Sequence, residues 1–470
     1  MKKSRTALNK CSFTRTAIVS AALLVCQLSS AQVTQATDAS KGDVVDTKDA
    51  AAAATVLPTS TSSSLGSSNV FSNATGAAQQ AFTPSYELSG AKSGDGTGGT
   101  MTAPAHGAPI INGGIYTYVD VNSIFGHDSN VMGAATNTVS SSLFSLQPEI
   151  VSEVKNHGDR YTASYVGNYT RFQNSSADDF NHHELKVAGD NIFDARTRFS
   201  WLAGYTDSTD PRGSTDRAIS ATPDEWHAPT VAGIFSYGAL QSQGRIEIDG
   251  SYLDKVYSNN RATTIGSDVD IATVSARFFY RVAPKTSLLI EAKDVKSAYA
   301  LTNSPNSNND RSLMVGATWV ATAATTGIFK IGYLNKTFDA AGISGFNGIS
   351  WEGNVKWAPL TYSTFDFTTS KTPSDSTGVG DYVMNSSYDV LWNHHWTSKI
   401  ASKVDLGYVK SDYVNGNRED DLKNIGFGLT YDMRRWVRLG AEVINSKRSS
   451  TVSGNDFSRN VILFTISATL

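Results

Sequence analysis

From about residue 110 onward, apolar and polar positions alternate in short segments along the chain. Because successive side chains of a β-strand point to opposite faces, such a segment predicts a strand with one apolar face and one polar face. These segments recur about every 20 residues, which predicts about 18 strands between residue 113 and residue 470. In one of them, Ala272, Val274, Ala276, Phe278 and Tyr280 alternate with Thr273, Ser275, Arg277 and Arg281.

The connections between the predicted strands are alternately short and long. We predict tight turns at Phe193-Asp194, Val282 to Lys285, Ala358 to Leu360, Trp396 to Lys399 and Asp432 to Arg434, and long loops at Thr206 to Trp226, Ser258 to Ser267, Leu301 to Asp310 and Thr372 to Asp381. Bacterial outer-membrane barrels have short periplasmic turns and longer extracellular loops. The pattern therefore predicts an all-β fold, a transmembrane antiparallel up-and-down β-barrel of about 18 strands over residues 110–470. The alternative is a water-soluble β-sandwich or barrel, whose strands also alternate.

The last segment of the chain is a strand that continues to the final residue. Phe464, Ile466 and Leu470 share its apolar face. This ending resembles the assembly signal of outer-membrane barrels, which most often finishes on Phe or Trp, so Leu470 is a departure from the pattern. An apolar edge strand of this kind would promote aggregation unless it paired with a first strand.

The N-terminal segment has the features of an export signal. Several Lys and Arg residues precede an apolar run from Ala17 to Leu28, and Ser29-Ser30-Ala31 follow it. We predict a signal peptide over residues 1–31, cleaved after Ala31, and export across the inner membrane of a Gram-negative bacterium. A lipoprotein signal at Cys26 is the alternative, although Val25 does not suit it. Cys11 and Cys26 are the only cysteines, so the mature chain would contain no thiol.

Residues 32–109 consist largely of Ala, Ser, Thr and Gly. A segment with so few large apolar residues cannot bury a core. We predict a disordered, low-complexity periplasmic lead-in, placed where it could contact periplasmic partners. After the signal, no stretch has the roughly 18 apolar residues that a membrane-spanning helix needs.

Composition narrows the classes of partner. The chain has 470 residues, a net charge of −3 and 18% charged residues. Nucleic-acid binding needs a concentrated basic surface, and no such concentration is present. The composition therefore excludes nucleic acid as the main partner.

Charged residues fall on the predicted lumen face of many strands. They suggest either a charged pore lining that selects the solute, or a hydrated interior in which opposite charges on neighbouring strands pair. Without strand register both interpretations stay open. The predicted lumen-lining residues are Arg196, Arg198, Arg245, Glu247, Asp249, Arg277, Arg281, Glu291, Lys330, Glu352, Asp405, Arg438 and Glu442.

No motif in the sequence predicts an enzyme, a cofactor or a metal site. His182-His183 and His394-His395 are adjacent pairs, whose side chains point to opposite faces of a strand. No Ser, His and acidic residues stand in a recognisable nucleophile motif. Four further polar residues fall in predicted surface loops, where turn formation explains them better than calcium binding, namely Asp128, Asn130, Asn309 and Asp310.

Several short motifs resemble one known family. Tyr118 to Asp120, with Gly126-His127-Asp128-Ser129-Asn130-Val131, is similar to the first strand and loop of the β-barrel porins found with exopolysaccharide and capsule gene clusters. The segments Ser145 to Ile150, with Pro148, and Asn168 to Phe172, followed by Asn181-His182-His183, resemble the second to fourth strands of that family. By layout the resemblance covers residues 110–470.

The resemblance implies an outer-membrane barrel that takes part in exopolysaccharide or capsular polysaccharide export, as a conduit for polymer across the outer membrane. Its expected partners are outer-membrane lipid, the polysaccharide, the barrel-assembly machinery and periplasmic secretion components. It implies no catalytic residues. The alternatives are a general diffusion porin for ions or small solutes, and a structural or adhesive surface barrel.

Overall fold

A computed structural model of the protein describes residues 109–217, 219–239, 241–319 and 324–469. The predicted signal peptide, residues 32–108 of the lead-in, and Leu470 lie outside these residues. The described chain is built almost entirely of strands: β1 (Ile110–Asn112), β2 (Ile115–Asp128), β3 (Ser141–Asn156), β4 (Asp159–Phe172), β5 (Phe180–Ile192), β6 (Thr197–Asp210), β7 (Asp224–Tyr237), β8 (Gly244–Tyr257), β9 (Val269–Ala283), β10 (Thr286–Tyr299), β11 (Asn308–Trp319), β12 (Thr325–Phe338), β13 (Phe346–Leu360), β14 (Ser363–Asp375), β15 (Tyr382–His395), β16 (Ile400–Val414), β17 (Arg418–Arg434), β18 (Val437–Ser450) and β19 (Phe457–Thr469).

Strands β2 to β19 form one closed antiparallel ring. Each pairs with the next strand along the chain, and β19 pairs back onto β2, with Phe464 opposite Phe125. Closure leaves no free sheet edge along this seam, which satisfies the backbone hydrogen bonds of the C-terminal strand. The predicted 18-stranded barrel is therefore confirmed. The short strand β1 is additional and pairs with the start of β2, beyond the last β19 pairing at Asp120.

Short turns lie at one rim of the barrel and long loops at the other, as predicted. We call these the short-turn rim and the long-loop rim. The strands are longer than predicted at several connections, so the β6–β7 loop spans only residues 211–223. The turns predicted at Ala358 to Leu360 and Asp432 to Arg434 were wrong by a few residues, because irregular pairing extends both strands and puts the turns at 361–362 and 435–436.

Within the residues that the structure describes, helical structure is confined to the long loops. A 3-10 turn covers Ser176–Asp178, and a short helix α1 (Arg261–Thr264) is followed by a second 3-10 turn over Ile265–Ser267. Among the described residues, no helix has the length and apolar character needed to cross a membrane.

The two faces of the barrel wall differ sharply in polarity. On the outer face, Phe278 and Ile290 are 44% and 52% exposed, whereas on the inner face Arg277 and Glu291 are 3% and 1% exposed. A water-soluble sandwich or barrel has the opposite arrangement, with apolar side chains inside. An apolar outer surface around a charged interior is the arrangement of a barrel whose outside meets lipid.

Apolar packing inside the barrel is limited to small clusters. One contains Phe279, Leu289 and Ile328, from the inner face of β9, β10 and β12. Another joins Ile124 to Val461 and Leu463 across the seam between β2 and β19. The interior is otherwise dominated by polar and charged side chains, so the continuous ladder of backbone hydrogen bonds, and not an apolar core, is the main structural element of the wall.

Candidate functional site

Strands β8 to β13 carry a network of buried ion pairs on their inner face. We call it the paired wall. Its four carboxylates are matched by four basic groups, contributed by β8, β9, β10, β12 and β13. The members are Arg245, Glu247, Asp249, Arg277, Glu291, Lys293, Lys330 and Glu352.

Arg277 and Lys330 connect the paired wall across its strands. The Arg277 guanidinium lies 3.3 Å from a carboxylate oxygen of Glu247 and 3.5 Å from one of Glu291, and it donates a hydrogen bond to Asp249. The Lys330 ammonium lies 2.9 Å from Glu291 and 2.9 Å from Glu352. These charges are neutralised within the wall, which favours the pairing interpretation for this part of the barrel.

The next three strands present carboxylates on their inner face. We call this second region the carboxylate wall, and it consists of Asp366, Asp389 and Asp405 on β14, β15 and β16. Asp389 and Asp405 are diagonal neighbours on the paired strands β15 and β16, so the two carboxylates lie close together. Among the described residues, neither of these two has a lysine or arginine nitrogen within 4.0 Å, so their charge faces the lumen without an ion-pair partner.

Most of the other predicted lumen residues also lie on the inner face. Arg198 lies 3.8 Å from Asp190, Arg438 lies 2.6 Å from Asp432, and Arg281 is half-buried near the short-turn rim. Glu442 lies 2.8 Å from Lys403.

Arg196 was placed wrongly on the lumen wall. It lies exposed in the turn between β5 and β6, where the Asp194 carboxylate accepts hydrogen bonds from the backbone N–H of Arg196 and Thr197. These bonds stabilise the turn, so β6 starts only at Thr197. The prediction missed Lys293, which shares a face with Glu291, and Asp389. Strand alternation alone was a sufficient signal for both.

The β6–β7 loop lies across the outer part of the lumen. We call residues 211–217 the strap. At its far end Arg217 lies 3.0 Å from Asp210 and 2.9 Å from Asp224, on the strands that carry the loop. The adjacent residue, Asp216, lies 2.7 Å from Arg418 on β17. Since β17 is ten strands from β7 one way round the ring and eight the other way, two neighbouring strap residues contact opposite sides of the barrel.

Further contacts fix the strap on both sides. The backbone N–H of Asp216 donates a hydrogen bond of 3.1 Å to Thr377, and Tyr413 donates one of 3.3 Å to the Asp216 carboxylate. Near the start of the strap, Arg212 donates a hydrogen bond of 2.8 Å to Asp178, which raises the pKa of the Arg212 guanidinium.

Gly213 lets the strap pass directly under the β2–β3 loop. Its φ angle is +75°, and a Cβ atom there would lie 2.3 Å from the carbonyl oxygen of Met132. Any residue with a side chain would therefore be strained and would collide with the backbone of this loop. The strap position depends on glycine at this point.

Asp128 and Asn130, predicted to lie in a surface loop, are buried structural groups instead. Asp128 ends β2 and accepts hydrogen bonds of 2.9 and 3.0 Å from Arg459 on β19. Asn130 donates to the carbonyl oxygens of Ala134 and Ser458. These bonds hold the β2–β3 loop over the seam. Asn309 and Asp310 lie within β11, so their predicted loop position was also wrong.

The histidine pairs do not combine into a metal site. His182 contacts Thr209 while His183 contacts Tyr165, on opposite faces of β5. Among residues in the described ranges, no group of three or more His, Cys, Asp or Glu side chains is arranged to hold a metal ion.

A family model described as "Putative beta-barrel porin 2" matches residues 112–469, a range that includes the whole closed ring from β2 to β19. The chain belongs to this porin family. It is therefore an outer-membrane β-barrel of a family of channels and not of enzymes. No curated protein sequence matches this porin.

Several solved outer-membrane proteins match the porin over most of its length at low similarity. OccAB3 of Acinetobacter baumannii is 10% identical, covering 76% of this chain and 99% of its own, with a TM-score of 0.44. OccK2 (OpdF) of Pseudomonas aeruginosa is 11% identical, covering 76% and 98%, with a TM-score of 0.45. A bacterial polysaccharide outer membrane secretin is 9% identical, covering 75% and 98%, with a TM-score of 0.34. Scores this low add nothing to the assignment.

Proposed function

We propose that this porin is a narrow outer-membrane channel for small polar solutes, and that the strap limits passage at its outer mouth. The observation that supports this most strongly is the bridge formed by Arg217 and Asp216 between opposite sides of the barrel. The long-loop rim faces outward in barrels of this kind, so the strap would lie at the extracellular entrance.

The charge distribution also supports a channel for solutes. The charges of the paired wall neutralise one another. The electrostatic field in the lumen therefore comes mainly from the carboxylate wall. Carboxylates that line a water-filled pore attract cations and repel anions. We therefore expect the open channel to prefer cations.

The decisive experiment measures ion conductance in planar lipid bilayers. Asp216→Ala removes the side-chain contacts with Arg418 and Tyr413 and should raise single-channel conductance. Gly213→Val should do the same by displacing the strap from the β2–β3 loop. The matched control is Asp381→Ala, because Asp381 lies at the same rim and ties neighbouring loops without crossing the lumen. Equal conductance in the wild type and both strap variants would overturn the proposed role of the strap.

A second candidate function is export of an exopolysaccharide or capsular polymer. It is favoured by the motif resemblance at residues 126–131, which form the end of β2 and the loop that covers the strap. A polymer would need a continuous path, so the strap would have to move aside. Deleting the gene and measuring polysaccharide released by the cells separates the two functions. Loss of the polymer, restored by the wild-type gene, would favour export, whereas normal release with impaired solute uptake would favour the channel.

A further inference from the structure

A side pocket opens beside the strap, on the β4–β5 side of the barrel. It is a partly open cleft in the inner surface of the barrel. Six of its lining residues provide its aromatic and polar groups and its contact with the strap, which supplies one of them. They are Asn168, Phe172, Phe180, His182, Pro211 and Arg459.

Ring faces form much of the wall of the side pocket. The rings of Phe180 and His182 are stacked with their centroids 4.1 Å apart and their planes 16° apart. The two residues are two positions apart on β5, so the strand holds both on its inner face. Phe172, at the end of β4, is buried next to them. These rings offer flat apolar surfaces to a ligand.

The charged groups around the side pocket are already paired. Arg459 donates to both oxygens of Asp128. Asp178, which also lines the pocket, accepts a hydrogen bond from Arg212. A charged ligand would have to compete with these pairs and lose its own hydration. The side pocket therefore suits a neutral ligand.

Two neutral polar groups have hydrogen-bonding capacity left for a ligand. The Asn168 side-chain oxygen accepts hydrogen bonds of 2.9 Å from Ser145 and from Thr170, which fixes the amide. Within the described part of the chain, the Asn168 amide nitrogen has no hydrogen-bond partner. His182 uses Nε2 with Thr209 at 2.9 Å, and its Nδ1 makes no hydrogen bond with another described residue. A ligand hydroxyl can accept from the amide and donate to an imidazole nitrogen.

We infer that the side pocket binds a neutral ring compound with an apolar face and hydroxyl groups at its edge, namely a single pyranose unit. The inference rests on the proposed function, because it identifies a solute that would pass the strap. The apolar face of the sugar ring packs against Phe180 and Phe172, and its hydroxyls bond to Asn168 and His182. A linear polyol has no such face, and an anionic sugar adds a charge that the pocket does not neutralise.

The test uses the purified full-length mature protein in detergent and ligand-observed NMR with methyl glucoside as the probe. Saturation transfer to the ring protons of the sugar is expected for the wild type. Phe180→Ala and Asn168→Asp should each weaken binding by about tenfold, since one aromatic contact or one hydrogen bond to a neutral group corresponds to roughly 1.4 kcal/mol. Asn415→Ala, at the same rim but outside the pocket, is the control and should bind like the wild type.

The comparison probes are sorbitol, a linear polyol, and glucuronate, an anionic pyranose. Binding of either at the strength of methyl glucoside would overturn the inference, as would absence of saturation transfer or equal binding in all variants. The heat-dependent shift in gel mobility shows whether each variant is folded, and the isosteric Asn168→Asp keeps the test valid if Phe180→Ala fails to fold.

Conductance is measured separately on Asp216→Ala. Sugar binding without conductance would refute the channel and keep the pocket, and strap-limited conductance without sugar binding would do the reverse.

Discussion

The paired wall and the carboxylate wall are neighbours in one ring, but only the paired wall matches its carboxylates with basic groups. In the paired wall each carboxylate lies within reach of a basic group on an adjacent strand, and Arg277 contacts three of them. In the carboxylate wall, Asp389 and Asp405 have each other as neighbours. The comparison suggests that the first region is built for the cohesion of the barrel, and that the second leaves its charge for the lumen.

The largest expected effect comes from breaking the paired wall at its centre. Arg277→Ala would leave Glu247, Asp249 and Glu291 buried with one fewer cation, and removing one partner of a buried ion pair costs about 3–5 kcal/mol. The free energy of unfolding, measured by urea denaturation of the refolded barrel in lipid, should fall by that amount. The control is Arg311→Ala, because its ion pair with Asp294 lies on the outer face with side chains 72% and 48% exposed. Such a pair contributes only about 0–1 kcal/mol, and equal losses in the two variants would contradict the distinct role of the paired wall.

A second prediction compares one isosteric neutralisation in each wall. Glu291→Gln leaves Arg277 and Lys330 with excess positive charge and should lower the free energy of unfolding by about 1.5–3 kcal/mol. Asp405→Asn removes repulsion from Asp389, so unfolding should be unchanged or slightly harder. The same denaturation experiment measures both. A loss of stability in Asp405→Asn as large as that in Glu291→Gln would show that the two walls do not differ in this respect.

The third prediction concerns ion selectivity. The double variant Asp389→Asn with Asp405→Asn should reduce the preference for cations, measured as the reversal potential across a salt gradient in planar bilayers. The reduction should be greater at 0.1 M salt than at 1 M, because the screening length falls from ~10 Å to ~3 Å. Glu352→Gln in the paired wall serves as the comparison and should change the reversal potential less. A larger change in reversal potential in Glu352→Gln than in the double variant would assign ion selectivity to the paired wall.

The smallest expected effect lies outside the barrel wall, at Asp381 on the long-loop rim. Hydrogen bonds from the Ser344 backbone N–H and from the Asn415 side chain lower the pKa of the Asp381 carboxyl. A carboxyl whose folded pKa is depressed stabilises the folded loops above its unfolded pKa of about 3.9, and this contribution is lost as the pH falls through the lower folded value. Limited proteolysis of the loops is measured from about pH 5 to about pH 2, a range that includes the unfolded pKa of roughly 3.9. Cleavage should be faster at the acid end of this range. Asp381→Asn should abolish this pH dependence, and a wild-type profile in that variant would contradict the assignment.

The sequence by itself determined the class of fold and the sides of the strands. Alternation placed Arg277, Glu291 and Lys330 on one face and Phe278 and Ile290 on the other, because the side-chain period of a strand is two and leaves no other choice. It failed at Arg196, where a hydrogen-bonded turn replaced the strand, and at Asp128, where burial against Arg459 could not be seen from a run of turn-forming residues.

Tertiary structure decided which charges meet and which do not. The pairing of Lys330 with Glu291 depends on inter-strand register, and the bridge from Asp216 to Arg418 joins residues about 200 positions apart in the chain. Neither contact can be predicted from the local sequence pattern. Closure of the ring, and not the neighbouring sequence, places β6 and β7 on one side of the lumen and β17 on the other. The wall was thus specified by local alternation, whereas the strap and the charge of the lumen arose only when the ring closed.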